Sequence, residues 1–147
     1  MADVHDPATR SRNMAAIRSR NTAPERRLRS ALHRLGFRFR LHGRNLPGRP
    51  DLVLARYHAV VFVHGCFFHR HRCATFRWPR TRAAFWRTKI NGNAERDERA
   101  RAELLKAGWR VAVVWECALR QFARSDSDRL ARRLAGWLRS RRRQLEI

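Results

Sequence analysis

The 147-residue chain carries 34 Lys and Arg against 12 Asp and Glu, a formal net charge of +22. Because neutralising phosphates releases counterions, this excess predicts salt-dependent binding to nucleic acid, by a DNA enzyme or by a basic RNA-binding protein. With 44% hydrophobic residues the chain can bury the core of one domain over residues 1–147. We expect neither a signal peptide nor a membrane-spanning segment, and therefore a cytoplasmic protein without a membrane partner.

The first predicted element is a basic helix from Thr9 to Arg20. Met14 and Ile17 are its larger apolar residues, and so thin an apolar stripe anchors weakly in a core. The segment is therefore either a frayed terminal helix or, within residues 1–20, an arm that clasps DNA.

The second predicted helix has clear boundaries at both ends. Thr22 and Glu25 have capping-box spacing, with a proline in the first turn, and Gly36 provides a stop. The large apolar side chains that share one face of this segment are Leu28, Leu32 and Leu35. We expect this face to pack on the core.

Alternation and turn residues predict the strands. Apolar and basic residues alternate from Phe37 to Leu41, and two apolar runs on either side of Arg56-Tyr57-His58 form a β-hairpin pattern. A further apolar run ends at Trp115 and delivers Glu116 and Cys117 at its end. In chain order, the predicted strands are 37–41, 52–55, 59–63 and 109–115.

Two later helices complete the predicted order of elements. One runs from Thr81 to Ala107 with a break near Asn91-Gly92-Asn93, and another begins at Ser127 or Asp128. Residues 139–147 form a basic tail that is expected to be solvated. This order implies an α/β (mixed) fold, with helices packed on a central mixed β-sheet.

The run from His64 to Cys73 holds two of the chain's three cysteines and three of its seven histidines. Together with Cys117 it offers three thiolates and an imidazole, the ligand set of a closed structural zinc site, and an odd number of cysteines does not suit a disulfide framework. The spacing allows either His69 or His71 as the imidazole. The alternative is that Cys117 is a buried small hydrophobe and the other cysteines bind nothing.

Asp51 starts one strand of the predicted hairpin, and Val63 and His64 end the other, so these residues are expected to lie close together. A carboxylate, a strand carbonyl and imidazoles suit Mg²⁺-assisted hydrolysis of a phosphodiester, and His64 or His69 can exchange a proton near neutral pH. A Pro-Asp pair by itself usually marks only a turn. The histidines nearby favour the chemical interpretation.

Two aromatic pairs, Phe67-Phe68 and Phe85-Trp86, accompany this candidate site. Adjacent residues cannot all point into one core from one helix face, so at least one ring of each pair is expected to be exposed. An exposed ring could wedge between base steps and open a duplex, whereas a buried ring only packs in the core.

Ordered motifs from Met1 to about Arg120 carry a family resemblance. They are Met1 to Asp6, Ala8 to Ser11, Asn13-Met14, Leu46 to Asp51, His64 to Phe67, Thr81-Arg82, Phe85-Trp86, Lys89-Ile90, Asn93, Glu95 to Asp97, Gly108 to Val111 and Val114 to Arg120. On these segments the chain resembles the very short patch repair (Vsr) family of DNA mismatch endonucleases. The resemblance implies a restriction-endonuclease-like core, similar to PD-(D/E)xK nucleases. It also implies an enzyme that nicks one strand 5′ of the thymine in T:G mismatches, which arise when 5-methylcytosine deaminates.

Carried onto this chain, the resemblance implies a Mg²⁺ site formed by the Asp51 carboxylate and the backbone carbonyl of Val63. Glu25 and His64 would organise metal-bound water, and His69 would act as general base or proton shuttle. The implied zinc ligands are Cys66, His71, Cys73 and Cys117. It is this analogy that selects His71 over His69.

The implied substrate is double-stranded DNA containing a T:G mismatch, bound by a monomer in the bacterial nucleoid, with mismatch-repair proteins as possible further partners. Aromatic rings would intercalate beside the mismatch from the major groove while the Met14 helix approaches from the minor groove. Two polar side chains would contact the mispaired bases. The residues implied in DNA binding are Met14, Phe67, Phe68, Trp86, Lys89 and Asn93.

Three positions depart from the family pattern. Val63 stands where threonine is frequent, Phe68 where tryptophan is common, and Arg70 where a further histidine is usual. A carbonyl ligand tolerates Val63, while Phe68 retains a wedge but loses stacking area and the indole donor. Two rival hypotheses are a non-catalytic, zinc-stabilised nucleic-acid-binding protein and a nuclease without mismatch selectivity.

Overall fold

The computed structural model of the chain describes residues 22–73, 76–125 and 127–147. The predicted helix from Thr9 to Arg20, with Met14, lies outside the described residues. The helices are α1 (Ala23–Arg34), α2 (Ala83–Lys106), α3 (Glu116–Ser125) and α4 (Ser127–Leu138). The strands are β1 (Arg40–Leu41), β2 (Leu52–Leu54), β3 (Ala59–His64), β4 (Arg110–Trp115) and β5 (Gln144–Glu146). Within these ranges no helix is long and apolar enough to cross a membrane.

The strands form one five-stranded sheet in the order β1-β2-β3-β4-β5. β1, β2 and β3 pair antiparallel, and the β2–β3 hairpin turns through a short 3₁₀ segment, Ala55–Tyr57. α2 connects β3 to β4, which pair in parallel, and β5 adds a second parallel pairing at the edge. The mixed α/β fold and the hairpin predicted from the sequence are confirmed.

Alternating side chains of β3 and β4 enter two apolar cores on opposite faces of the sheet. One core joins Val61 and Val114 to α1, α3 and α4. The other joins Val60 and Val113 to Leu104 of α2. The two central strands are therefore buried on both faces, as their nearly continuous apolar sequences indicate.

α1 has the predicted boundaries, but its capping differs from the prediction. Thr22 is the N-cap residue, yet its side chain makes no capping hydrogen bond, so the capping-box prediction is wrong in this detail. Leu28 and Leu32 are buried, whereas Leu35, expected on the same face, is 38% exposed because it lies just past the helix end. Gly36 stops the helix at a φ of +95°, a backbone conformation that favours glycine.

α2 is continuous through Asn91-Gly92-Asn93, where the sequence predicted a break. A glycine in a helix costs about 1 kcal/mol relative to alanine. Ile90 and Ala94, on either side of Gly92, are buried, and their apolar contacts form only if the helix continues. Tertiary packing therefore overrides the local preference for a turn.

β1 is much shorter than the strand predicted over residues 37–41. The N–H of Phe37 donates to the carbonyl of Leu32 at the end of α1, so Phe37 belongs to the helix terminus and packs in the core. Leu41, an apolar residue of the alternating segment, is 43% exposed. Only the end of the alternating segment pairs with β2.

The chain after β4 also differs from the prediction. Glu116 and Cys117 begin α3, a helix that the sequence did not predict. The chain passes directly from β4 into this helix after Trp115, without an intervening loop. The tail expected to be solvated ends in β5, which pairs with β4. A short edge strand needs only backbone groups, so the basic side chains before it do not prevent pairing.

Candidate active site and metal centre

Strand alternation brings the predicted acidic and histidine residues to the α2 side of the sheet. His64 ends β3 on the same face as Val60 and Phe62, and Asp51 directly precedes β2. The N–H of Val63 donates a hydrogen bond of 2.6 Å to Oδ2 of Asp51. The hairpin thus places the Asp51 carboxylate beside the end of β3.

Two histidines and an aspartate form a compact group in the same cleft. The rings of His64 and His69 stack with their centroids 4.0 Å apart and their planes 6° apart. Nδ1 of His69 lies 2.6 Å from Oδ2 of Asp97. Because a carboxylate accepts hydrogen bonds, Nδ1 of His69 is the donor, which leaves Nε2 as the nitrogen that faces away from Asp97. Burial lowers the pKa of His64 to about 3, so this second imidazole is neutral at physiological pH.

One face of α2 supplies polar and aromatic residues to the site. They recur at intervals of three or four residues and are Trp86, Lys89, Asn93 and Asp97. Nδ2 of Asn93 donates to the backbone carbonyl of Phe68 at 2.9 Å, and Arg96 donates to Oδ1 of Asn93. α2 therefore holds the loop that carries Phe68 as well as the partner of His69.

The cleft that these residues line is open and has a volume of about 590 Å³. Four of the 12 acidic residues of the chain line it, namely Glu25, Asp51, Asp97 and Glu116. In a chain of net charge +22, such a concentration of carboxylates favours a hard divalent cation. The basic residues that line the same cleft are Arg49, Lys89 and Arg120, and they suit the phosphates of a nucleic acid.

A second group of ligand-type side chains joins the loop after β3 to the start of α3. It consists of Cys66, His71, Cys73 and Cys117, whose ligand atoms all lie within 4.8 Å of one another. Nδ1 of His71 lies 3.4 Å from Sγ of Cys66 and 3.6 Å from Sγ of Cys117. A tetrahedral zinc ion with bonds of about 2.0–2.3 Å separates its ligand atoms by roughly 3.3–3.8 Å, so the spacing fits Zn²⁺. His69, the alternative imidazole, lies in the other cluster.

The thiol chemistry of this group also suits a metal ion. The three cysteines are free rather than disulfide-bonded. Burial raises the pKa of the Cys66 thiol to about 12, which disfavours a thiolate in the protein alone. A bound divalent cation reverses this preference, because thiolates are the form that ligates metal.

An aromatic cluster borders the cleft. Phe67 packs edge-on against Phe68 at 5.0 Å and against Trp86 at 5.4 Å, measured between ring centroids. Phe85 packs against Trp86 and is 43% exposed, so the second pair contains the exposed ring that the sequence predicted. Phe67 and Phe68 are both half-buried, so the prediction of an exposed ring is wrong for the first pair; Phe67 packs against Phe76 and Trp86 as well as Phe68.

The chain is similar to known proteins over most of its length. The model of the family described as DNA mismatch endonuclease Vsr matches residues 2–75. A DNA mismatch endonuclease Vsr from Escherichia coli (strain K12) is 51% identical over 138 residues, which cover 94% of this chain and 88% of that protein. The chain belongs to the Vsr family of DNA mismatch endonucleases. The resemblance found in the sequence motifs is confirmed, and the chain is a hydrolase that acts on phosphodiester bonds.

Nicking enzymes are further relatives of this Vsr-family chain. A type II nicking enzyme V.XorIIP from Xanthomonas oryzae pv. oryzae is 49% identical over 119 residues, covering 81% of this chain and 88% of that enzyme. A type II nicking enzyme V.NmeAIP from Neisseria meningitidis serogroup A is 41% identical over 136 residues, covering 91% and 97%. Relatives named for mismatch cleavage and for nicking thus align along most of the chain.

Two cleft residues of this Vsr-family chain had no role assigned from the sequence. Asp97 contacts His69, and Glu116 lines the cleft from the first turn of α3. Helical spacing from Trp86 through Asn93 was the signal that could have found Asp97. No such signal existed for Glu116, because the helix that carries it was not predicted.

Proposed function

We propose that the enzyme nicks one strand of duplex DNA on the 5′ side of the thymine in a T:G mismatch. Asp51 and the backbone carbonyl of Val63 would hold a catalytic Mg²⁺, and the group of Cys66, His71, Cys73 and Cys117 would hold a structural Zn²⁺. The observation that supports this proposal most strongly is the hydrogen bond between His69 and Asp97, in the cleft that Asp51 also lines.

His69 is the proposed general base. Asp97 accepts a hydrogen bond from Nδ1 of His69, so Nε2 is available to take a proton from the attacking water. The same carboxylate then stabilises the imidazolium that forms, as the aspartate of a hydrolase triad does. This arrangement gives His69 both an orientation and a driving force for proton transfer.

His64 is proposed to orient the water rather than to carry charge. Burial lowers its pKa to about 3, and its ring stacks on that of His69. A neutral imidazole at this position adds no positive charge that would oppose protonation of His69. Glu25, which lines the cleft from the first turn of α1, is proposed to accept a hydrogen bond from the same water.

Asp51 is proposed to be the carboxylate ligand of the catalytic metal. Its hydrogen bond from Val63 fixes the carboxylate at the end of β3. When bound, Mg²⁺ supplies Lewis acidity at a phosphate oxygen and offsets the charge that develops there. Phosphate approach is aided by Arg49, Lys89 and Arg120 on the walls of the cleft.

Recognition of the mismatch is assigned to the aromatic cluster and to two polar residues of α2. Phe67, Phe68 and Trp86 would enter the base stack beside the mismatch. Lys89 and Asn93 would read the displaced acceptors of a wobble pair. Met14 is proposed to approach from the minor groove, and action as a monomer, a cytoplasmic location and contacts with mismatch-repair proteins stay predictions.

Replacing the proposed metal ligand tests the catalytic assignment. Asp51→Ala should abolish nicking of a T:G duplex in the presence of Mg²⁺ while leaving the dissociation constant for that duplex within a few-fold of its original value. Glu103→Ala, which removes an exposed carboxylate at the far end of α2, is the matched control and should nick normally. Nicking by Asp51→Ala at an undiminished rate would show that the metal site lies elsewhere.

A further inference from the structure

Trp115, the last residue of β4, lies between the Cys66, His71, Cys73 and Cys117 group and the stacked rings of His64 and His69. Its indole stacks on the ring of His71, with centroids 3.9 Å apart and planes 8° apart. The same indole meets the ring of His64 edge-on at 5.2 Å and an interplanar angle of 69°. Trp115 is 7% exposed. One buried ring therefore contacts a candidate zinc ligand and a catalytic-site histidine at once.

A carboxylate from the C-terminal strand fixes the orientation of this ring. Nε1 of Trp115 donates a hydrogen bond of 2.7 Å to Oε1 of Glu146 in β5. The backbone holds β5 in place, because the N–H of Trp115 donates to the carbonyl of Ile147 and the N–H of Ile147 donates to the carbonyl of Val113. In the pairing register Glu146 lies opposite Val113, two residues before Trp115.

The bond to Glu146 matters because a buried indole N–H needs an acceptor. Glu146 is exposed, so without its carboxylate water supplies the acceptor, and the ring, no longer held by β5, shifts toward that water. Such a movement would break the parallel stack on His71 and the edge contact with His64 together, since both contacts belong to one rigid ring.

We propose that Glu146 is a positioning residue for the nicking reaction, which acts by holding Trp115 between the zinc group and the His64–His69 stack. The C-terminal strand is thus part of the support of the active site, although no residue of β5 lines the catalytic cleft among the described residues. This proposal extends the proposed function. Its effect on the nicking rate rests on that function, whereas its effect on the ring positions does not.

Nuclear magnetic resonance of the histidine ring protons tests the positioning directly, because a proton over the face of an indole is shielded. In Glu146→Ala the ring signals of both His71 and His64 should move. The signals of His58 should stay, because His58 stacks on a different indole, that of Trp109, at 4.1 Å. Glu146→Gln retains an acceptor and should keep the original signals.

The nicking rate supplies the second measurement. Under single-turnover conditions Glu146→Ala should nick a T:G duplex roughly tenfold more slowly, with affinity for the duplex unchanged, because a hydrogen bond to a charged group is lost. Trp115→Phe, which keeps an aromatic ring but removes the donor, should have the same effect. The double variant should be no slower than either single variant, because both changes remove one interaction.

Gln144→Ala is the matched control, since Gln144 is an exposed residue of the same strand. The proposal is overturned if Glu146→Ala leaves the His71 and His64 signals in place, or if Gln144→Ala moves them equally. It is also overturned if the losses of rate multiply in the double variant. If the unaltered enzyme does not nick T:G duplexes at all, the proposed function fails, and the ring signals still decide the role of Glu146.

Discussion

In the proposed mechanism, the hydrogen bond between His69 and Asp97 makes these two side chains a proton-transfer unit. Their side chains are 27% and 25% exposed, so water reaches the pair while the surrounding protein fixes its geometry. As general base, His69 would be oriented by Asp97, and the carboxylate would balance the positive charge of the protonated ring. The neutral ring of His64, stacked at 4.0 Å, adds no competing charge.

Removing the charge of Asp97 should therefore slow the chemical step. Asp97→Asn should lower the single-turnover nicking rate by roughly 100-fold, the scale of general base catalysis, with little change in DNA affinity. Glu98→Gln, at the next position of α2, where the side chain is 73% exposed, is the control and should nick normally. A rate for Asp97→Asn equal to that of the control would remove Asp97 from the mechanism.

Residue chemistry was the part of the site most open to prediction from sequence. The ligand types of Asp51, His64 and the cysteines are visible in the chain itself. Asp97 could not be paired with His69 in the same way, because the two residues are 28 positions apart and their contact depends on how α2 packs. The bond from Val63 to Asp51 depends likewise on hairpin register.

At the scale of elements, a single guanidinium ties β4 to the end of α4. Arg110 donates to the backbone carbonyls of Trp137, Leu138, Ser140 and Arg142. A cation at a helix C-terminus satisfies carbonyls that have no partner within the helix. The chain then turns into β5, so this contact helps to bring Glu146 beside Trp115.

Glycine substitutions test the backbone conformation at two positions, one within α4 and one just after α1. A Cβ added at Gly136, within α4, or at Gly36, after α1, would meet nothing within 4 Å. Gly136→Ala should raise the free energy of unfolding by about 0.5–1 kcal/mol, because alanine favours a helix. Gly36→Ala should lower it, because φ there is +95°. Thermal or denaturant unfolding measures both, and equal effects of the two changes would contradict the assigned conformations.

Removal of the proposed zinc ion should loosen the link between the loop after β3 and the start of α3. A chelator should lower the melting temperature, because metal binding stabilises only the folded ligand group. Adding back Zn²⁺ should restore the original melting temperature, whereas Mg²⁺ should not. Recovery with Mg²⁺ alone would contradict a structural zinc site at Cys66, His71, Cys73 and Cys117.

Elements with strong apolar patterns were predictable, and those set by tertiary contacts were not. α1, the hairpin and β4 follow from periodicity and turn residues. The continuity of α2 through Gly92 depends on the burial of Ile90 and Ala94. β5 has too short a sequence to show a pattern, and its pairing depends on backbone groups of β4.

Across the whole molecule, acidic residues are few and are concentrated at one cleft. The chain has a net charge of +22, yet four of its 12 acidic residues line the catalytic cleft. A second basic surface lies along α1, where Arg26, Arg27 and Arg34 line a shallow groove. Carboxylates thus collect where a divalent cation is expected, and basic residues in the cleft and along α1 offer contacts to DNA phosphates.

This charge distribution predicts a steep salt dependence. Between about 50 and 200 mM salt, affinity for duplex DNA should fall by roughly 10³-fold or more, as for a protein with six to ten phosphate contacts. Matched and mismatched duplexes should weaken in parallel, because phosphate contacts carry no sequence information. Fluorescence anisotropy at several salt concentrations measures the slope, and affinity that does not change with salt would contradict electrostatic binding.

At the scale of the molecule, net charge predicted the class of partner but not the place of catalysis. The cleft forms where the hairpin, α2 and the start of α3 pack together. No local sequence pattern predicts this packing. The family motifs predicted the type of reaction. A set of motifs relates residues that lie far apart in the sequence, whereas composition and periodicity describe the whole chain or one segment at a time.

A strand-resolved nicking assay with Mg²⁺ tests the central claim most directly. It compares a T:G duplex with C:G and T:A duplexes of the same sequence, over several flanking contexts. We predict a single nick, confined to the thymine strand and 5′ of the mispaired thymine, in the T:G duplex. Binding without a nick in every context, or equal cutting of all three duplexes, would contradict the account.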